Sequence, residues 1–293
     1  MTEAARRIDI ALTFDDNFWA PAYTLMRSIG LFSKRKTDLR FHLFHRALPA
    51  DQVADLKKIE AEFGATLVWY DLEQSAMFLD IAKRVPQSPR LTSIVYARLI
   101  IDRLIDPAIK RIVYLDCDML VRAPIERLYE IDLEGYPIAA VRDTQGLIIT
   151  GGRDIANNLQ IFDAADPYFN AGMLLIDIDR WRQARIVDHI ERLLADGTLA
   201  KLYYDQDLLN LIFRNNWLQL PWRWNVIDAR FVHEGLDGHI MHYTGHGKPW
   251  DLVSIVAFRR IYRHTMTNEL FYRYWRHRWK RKLLKLLAWG SRR

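Results

Sequence analysis

The 293-residue chain predicts an α/β fold, a mostly parallel central sheet flanked by helices, followed by a basic helical tail. Three observations predict it. Short apolar runs alternate with amphipathic stretches through the first half of the chain, as βα units require. Half of the residues are hydrophobic, enough for a sizeable core. No repeat or low-complexity linker interrupts residues 1–258, whereas residues 259–293 differ sharply in charge.

The elements follow in order. "IDIALTF" (8–14) reads as a buried first strand, and "WAPAYTLMRSIGLFS" as the helix after it. "LRFHLFH" (39–45) and "ADQVADLKKIEAEFG" form the next pair, "TLVWYD" (66–71) the third strand, and "SIVYARLIIDRLI" (93–105) a helix. "RIVYLDCDMLV" (111–121) begins as a strand apolar on both faces. "YPIAAVRD" (136–143) is another strand, and "YFNAGMLLIDI" (168–178) a strand opened by a turn. Residues 179–197 read as one Asp-capped helix ended by Gly197, and 205–215 as a shorter helix with acids in its first turn. "HIMHYTGHGKPW" (239–250) is a short strand delivering His242 into a glycine-bearing loop. Trp181, Trp222 and Trp224 are expected in the core or a groove wall.

Asp116 and Asp118 stand where the strand at 111–115 emerges, the end at which open parallel sheets bind ligands. Residues i and i+2 of an extended segment project the same way, so the two carboxylates converge and call for a cation. Oxygen ligands suit Mg2+ or Mn2+. The bland alternative is a pair of exposed loop acids. His242 would tilt the choice toward Mn2+, because imidazole suits transition metals. Gly245 and Lys248 fit a phosphate-binding loop, since glycine permits close backbone approach and lysine holds phosphate.

Together "LTFDDNFW", "YARL", "RIVYLDCDMLV", "YFNAGMLLIDIDRWR", "YYDQDLLN" and "HYTGHGKPW", in this order from residue 12 to residue 250, resemble the family 8 glycosyltransferases. The nearest likeness is to the bacterial lipopolysaccharide and lipooligosaccharide α-galactosyl- or α-glucosyltransferases, with glycogenin more distant. That resemblance implies the GT-A fold, with its Rossmann-like sheet, and retaining transfer of galactose or glucose from a UDP-sugar to a saccharide or glycolipid acceptor. It implies a metal site of Asp116, Asp118 and His242, loaded with Mn2+ or Mg2+, and uridine contacts at Thr13, Asp15 and Asn17. Gly245 and Lys248 match diphosphate contacts; Arg98, Asp143, Asn170, Ala171, Asp205 and Gln206 match the donor-sugar lining. Gln206 falls nearest the anomeric carbon, with Asp205 beside it as the other catalytic candidate. A neutral amide is a poor nucleophile, which favours same-face attack with Gln206 stabilising positive charge. Asp15, Asn17 and Asp205 also suit helix caps, and Asn170 a turn.

From Arg259 onward twelve Lys or Arg face one acid, Glu269, so the tail carries +11 and the rest of the chain −5. On a helical wheel Phe271, Trp275, Trp279, Leu283, Leu286 and Leu287 gather on one arc. A basic helix with tryptophans suits an anionic membrane surface, where each nearby Lys or Arg adds about 1 kcal/mol. The alternatives are a helix packed on the protein and, disfavoured by the acidic remainder, a nucleic-acid contact. One cysteine, Cys117, no recognisable secretion signal and no run of bilayer length make the cytoplasm the expected location. The basic tail, with the action on lipid-linked acceptors at the inner membrane that the resemblance implies, makes it peripheral on the inner face of the cell membrane.

Two rival readings remain at this level. One is a haloacid-dehalogenase-type phosphatase with Asp116 as nucleophile. The other is a non-catalytic peripheral membrane protein. Deleting residues 259–293 is expected to leave a catalytic domain still active on soluble acceptors.

Overall fold

The computed structural model describes residues 7–86, 93–143, 161–162, 166–202, 204–245 and 247–290, with side chains of the last helix to Leu284. Tyr203 and His246, within two of the sequence motifs, and the Leu286 and Leu287 side chains lie outside this description.

The first three βα units form where their patterns place them. Strands β1 (Ile8–Phe14), β2 (Leu39–His45) and β3 (Thr66–Asp71) alternate with helices α1 (Trp19–Phe32), α2 (Ala50–Phe63) and α3 (Ala76–Arg84). β1 is buried at all seven positions, hence its mainly apolar sequence, and its one acid, Asp9, is paired with Arg40 and His42. α2 stops at Gly64, whose φ of +67° is open to glycine without strain. Ser75 caps α3 by accepting from Phe78 N.

The segment expected as a helix over 93–105 is a 3-10 run, Ser93–Ile100, followed by the short α4 (Ile101–Leu104). Arg98 lies buried there with its Nε turned back to Val95 O at 3.3 Å. Next come β4 (Arg111–Leu115), β5 (Met119–Val121), α5 (Glu126–Tyr129), β6 (Ile138–Arg142) and β7 (Phe169–Asp177). The single helix expected at 179–197 is two, α6 (Ile178–Gln183) and α7 (Ile186–Ala195), because Arg185 takes a left-handed conformation, φ +49°, between them. Asp177, not Asp179, caps α6. The order closes with α8 (Tyr204–Ile212), β8 (Leu218–Leu220), β9 (Val226–Ile227), β10 (Ile240–His242), α9 (Arg259–Met266) and α10 (Asn268–Gly290).

The main sheet has strand order β3-β2-β1-β4-β7-β6-β8, and a small sheet has order β5-β10-β9. β7 is antiparallel to both its neighbours and every other pairing in the main sheet is parallel. A mostly parallel sheet is therefore present, with one reversed strand that the apolar pattern of "YFNAGMLLIDI" does not announce. Alternate β1 residues feed opposite faces: Ile8, Ile10, Leu12 and Phe14 join the cluster with α1 and α2, while Ala11 joins the cluster with the 3-10 run and α8.

The first of these cores does not end at residue 258. Tyr262, Met266, Leu270, Phe271 and Tyr274 are buried in it. The Tyr274 ring meets Trp19 edge-on at 5.0 Å. Arg273 pairs with Asp55, Arg278 with Asp251 at 2.7 Å, and Arg281 with Asp16. The proximal tail is thus a packed pair of helices, whereas Trp279, Leu283 and Leu284 are exposed. Trp181 and Trp224 are buried as expected, but Trp222 is exposed.

Candidate metal and donor site

The stretch 111–121 is two strands in two sheets. β4 ends at Leu115, β5 starts at Met119, and Asp116–Cys117–Asp118 is the link between them. Asp116 N donates to Gly172 O at 2.8 Å, tying the link to β7; Tyr243 N donates to Asp118 O at 3.0 Å, tying it to the end of β10. β10 runs antiparallel to β5 with His242 opposite Met119, which brings the imidazole to the acids.

Asp116, Asp118 and His242 each present one ligand atom, all within 4.8 Å of one another, a group that could hold a metal ion. His242 Nε2 is 3.3 Å from Asp118 Oδ1 and 3.8 Å from Asp116 Oδ2. The other carboxylate oxygens are taken. Asp116 Oδ1 accepts from Arg98 at 2.8 Å and from the Tyr114 hydroxyl at 2.9 Å. Asp118 Oδ2 accepts from Lys248 Nζ at 2.8 Å. Burial alone would raise the Asp118 carboxyl, but Lys248 and His242 outweigh it and hold the group well below the usual carboxylate range. It is therefore an anion at neutral pH.

A chain of amides fixes the imidazole. The backbone N–H of Gly172 can only donate, so the Asn170 atom 3.0 Å away is its carbonyl oxygen. That oxygen also receives Asn225 Nδ2 at 2.9 Å, so Asn225 turns its own Oδ1 to His242 Nδ1 at 3.0 Å. His242 Nδ1 therefore donates to Asn225, and Nε2 is the nitrogen turned to the two carboxylates, where it would offer a lone pair to a metal ion, the arrangement a metal-ligating histidine needs. The donor set fits a divalent ion.

Gly172 matters by having no side chain. A Cβ there would stand 2.3 Å from His242 Cε1 and 2.7 Å from Asp116 Oδ2. Gly172→Ala is expected to displace both groups and weaken divalent-ion binding by at least about tenfold, in line with the loss of outer-shell positioning. Calorimetric titration with Mn2+ checks it, and unchanged affinity would show that the site relaxes around the methyl group.

A second network adjoins the first. Gln206 Oε1 accepts from Ala171 N at 3.1 Å and Asn170 Nδ2 at 3.2 Å; its Nε2 donates to Asp143 at 3.2 Å and the Tyr168 hydroxyl at 3.2 Å. Asn170 also donates to Asp143, at 3.0 Å, and Tyr168 to Asp207, at 2.5 Å. Arg98 lies between the networks: it reaches Asp116, donates to Ala171 O at 2.6 Å and pairs with Asp205 at 2.6 Å. Burial pushes the Asp205 carboxyl up to about 6 despite Arg98, with Asp116 adding to the rise. Asp205 thus pairs with Arg98 from within the first turn of α8, where its carboxylate also bonds its own backbone N–H, so a helix-start role stands beside the site role.

The remaining expected residues sit around this centre. Thr13 is buried with its hydroxyl 2.8 Å from that of Tyr114, one bond from Asp116. Asp15 accepts from Asn17 N at 2.9 Å and from Asn17 Nδ2 at 3.1 Å, a closed turn ahead of α1. Neither residue caps that helix, whose N-cap is Phe18 without a side-chain bond. At Gly245 a Cβ would lie 2.8 Å from Asp228 Oδ1, so the loop must pass close to that acid. Sequence reasoning missed Asn225, Gly172 and Tyr114. Asn225 precedes a two-residue strand too short for any pattern, and Tyr114 reads as one more apolar strand residue.

A mostly parallel sheet with an acid pair at its carboxyl edge, met by a histidine from a second sheet, defines an α/β fold with a group that could hold a metal ion. The chain belongs to glycosyl transferase family 8, whose family model matches residues 9–253. It is 24% identical over 271 residues to general stress protein A of Bacillus subtilis, covering 86% of this chain and 91% of that one. It is 24% identical over 274 residues to the lipopolysaccharide 1,2-glucosyltransferase of Escherichia coli, covering 87% and 77%. Among solved structures it shares its fold with the galactosyltransferase LgtC in complex with donor and acceptor sugar analogues. The TM-score there is 0.72, with 22% identity over 88% of this chain and 95% of that one. Family membership removes the phosphatase alternative for Asp116 and makes the chain a glycosyltransferase, with a sugar donor and a saccharide acceptor. No helix among the described residues is long and apolar enough to cross a membrane.

Proposed function

We propose that this family 8 enzyme moves a hexose, galactose or glucose, from a UDP-sugar to a saccharide acceptor with retention of anomeric configuration. The acceptor is lipopolysaccharide core or another lipid-linked glycan, reached from the cytoplasmic face of a membrane against which the distal tail rests. The observation that carries the reading is the amide chain from Gly172 N to His242. It leaves Nε2 facing two carboxylate oxygens whose partner oxygens are already bonded. The names of the lipopolysaccharide glucosyltransferase and of LgtC support the donor and acceptor classes.

Asp116 Oδ2, Asp118 Oδ1 and His242 Nε2 would hold Mn2+ or Mg2+, which as a Lewis acid stabilises the charge that grows on a departing diphosphate. The chain's own residues do the rest. Lys248, at the end of the Gly245 loop, is a fixed positive charge beside Asp118 and takes part of the leaving charge. Thr13, Asp15 and Asn17 border the nucleotide, and Arg98, Asp143, Asn170, Ala171 and Asp205 line the sugar. Gln206 has both ends of its amide engaged, so it is held in place, neutral and weakly nucleophilic, against the sugar's anomeric face. That favours same-face attack, with the leaving phosphate accepting the acceptor's proton.

Purified protein should hydrolyse UDP-glucose or UDP-galactose slowly in the presence of Mn2+ or Mg2+ and not in the presence of a chelator. Hydrolysis of neither donor, with either ion, overturns the reading. Asn225→Ala, which frees the imidazole tautomer, should weaken metal binding about 10- to 100-fold. A titration indistinguishable from the parent's would remove the tautomer argument.

A further inference from the structure

α10 reaches two of the segments assigned above to the nucleotide. The Tyr274 hydroxyl donates to Asn17 O at 2.6 Å, across 257 residues of chain. Arg278 pairs with Asp251 Oδ1 at 2.7 Å, and the other oxygen of that carboxylate accepts from Lys248 N at 3.0 Å. One aromatic seat underlies both contacts. Tyr274 meets Trp250 at 6.2 Å between centroids, and Trp250 meets Phe18 edge-on at 5.8 Å. The Tyr274 ring is 2% exposed, so its hydroxyl has little freedom to leave Asn17.

We propose that Tyr274 and Arg278 are positioning residues for the donor nucleotide. Tyr274 sets the backbone of residues 15–17, and Arg278, through Asp251, sets the backbone of Lys248. The inference rests on the UDP-sugar reading. Its physical content is preorganisation: both segments are loops, and a loop already held in its bound shape loses less entropy when the ligand arrives. Arg273, on the same helix, supplies the contrast. It pairs with Asp55, which also accepts from Trp19 Nε1 at 3.2 Å, and so fastens the helix to the fold rather than to either loop.

The test uses the full chain with Mn2+ and UDP as probes, comparing Tyr274→Phe, Arg278→Met and Arg273→Met with the parent. Tyr274→Phe and Arg278→Met should each weaken UDP binding about three- to tenfold, the effect of one hydrogen bond. Mn2+ affinity measured without nucleotide should stay unchanged. In UDP-sugar hydrolysis the Tyr274→Phe loss should appear in KM, with kcat within about twofold, as for binding lost equally from ground and transition states. The Arg278→Met loss should reach kcat as well, because Lys248 takes part of the leaving charge. Arg273→Met should lower the melting temperature while leaving UDP affinity alone.

If the parent binds no UDP, the donor reading falls and this inference with it. If the parent binds UDP and both loop variants bind as tightly, only the positioning role is overturned. Equal loss of UDP affinity in Arg273→Met overturns it too, by showing that docking of the helix, not these two contacts, sets the loops.

Discussion

Asp116→Asn should abolish divalent-metal binding and lower metal-dependent UDP-sugar hydrolysis by about a thousandfold, the worth of roughly 4 kcal/mol of transition-state charge stabilisation. The fold should survive. Arg98 and the Tyr114 hydroxyl are both donors and both address Oδ1, so an asparagine will place its carbonyl oxygen there. Its NH2 then points to where Oδ2 now faces His242 Nε2. A donor replaces an acceptor at the one position where the ion needs an oxygen lone pair, while the buried Arg98 keeps both its bond to Ala171 O and its pair with Asp205. Circular dichroism and thermal melting should therefore match the parent while Mn2+ titration shows no binding. Retained affinity would mean that Asp116 is not a ligand.

How much of this was legible depended on whether the signal was local. β1 and β4 were readable because strands buried on both faces are mainly apolar, and β2 because apolar residues recur at Leu39, Phe41 and Leu43. The acid pair was readable because nothing but a cation or a partner excuses two carboxylates there. The sequence could not show that β7 is reversed, since both directions bury the same side chains. Nor could it show that the apolar run at 119–121 belongs to another sheet, because that depends on pairing with a strand more than a hundred residues later. Asn225 and Gly172 act only through contacts made in three dimensions. The tail misled for a different reason. Its helical wheel put Phe271 on the same stripe as Trp279 and Leu283, but the described part of the stripe is divided: Phe271 is buried in the core that holds α1, and Trp279 and Leu283 face solvent.

That division changes what truncation will do. Removing residues 259–293 takes Tyr262, Met266, Leu270, Phe271 and Tyr274 out of the core. At about 1.5 to 3 kcal/mol for each large apolar side chain, the loss is on the order of 10 kcal/mol. A typical domain has about 5 to 15 kcal/mol of net stability in all. The shortened chain should be unfolded or insoluble, an expected outcome opposite to that of an active catalytic domain ending at 258. Ending the chain after Leu284 is a different experiment. It keeps every buried tail residue among those described and the pairs of Arg273, Arg278 and Arg281, while removing Lys285, Arg292 and Arg293 together with the apolar end "LLAW". This variant should melt within about 4 °C of the parent, the shift that roughly 1 kcal/mol would produce, because the described core is left whole. It should hydrolyse UDP-sugar at the parent's rate and bind anionic phospholipid vesicles at least about tenfold more weakly, because three basic residues near the surface contribute about 1 kcal/mol each. Vesicle cosedimentation at low and high salt reads the last effect. Equal sedimentation of the two proteins would remove the distal tail from any membrane role, and a folded, active protein ending at residue 258 would show that the proximal helices are dispensable after all.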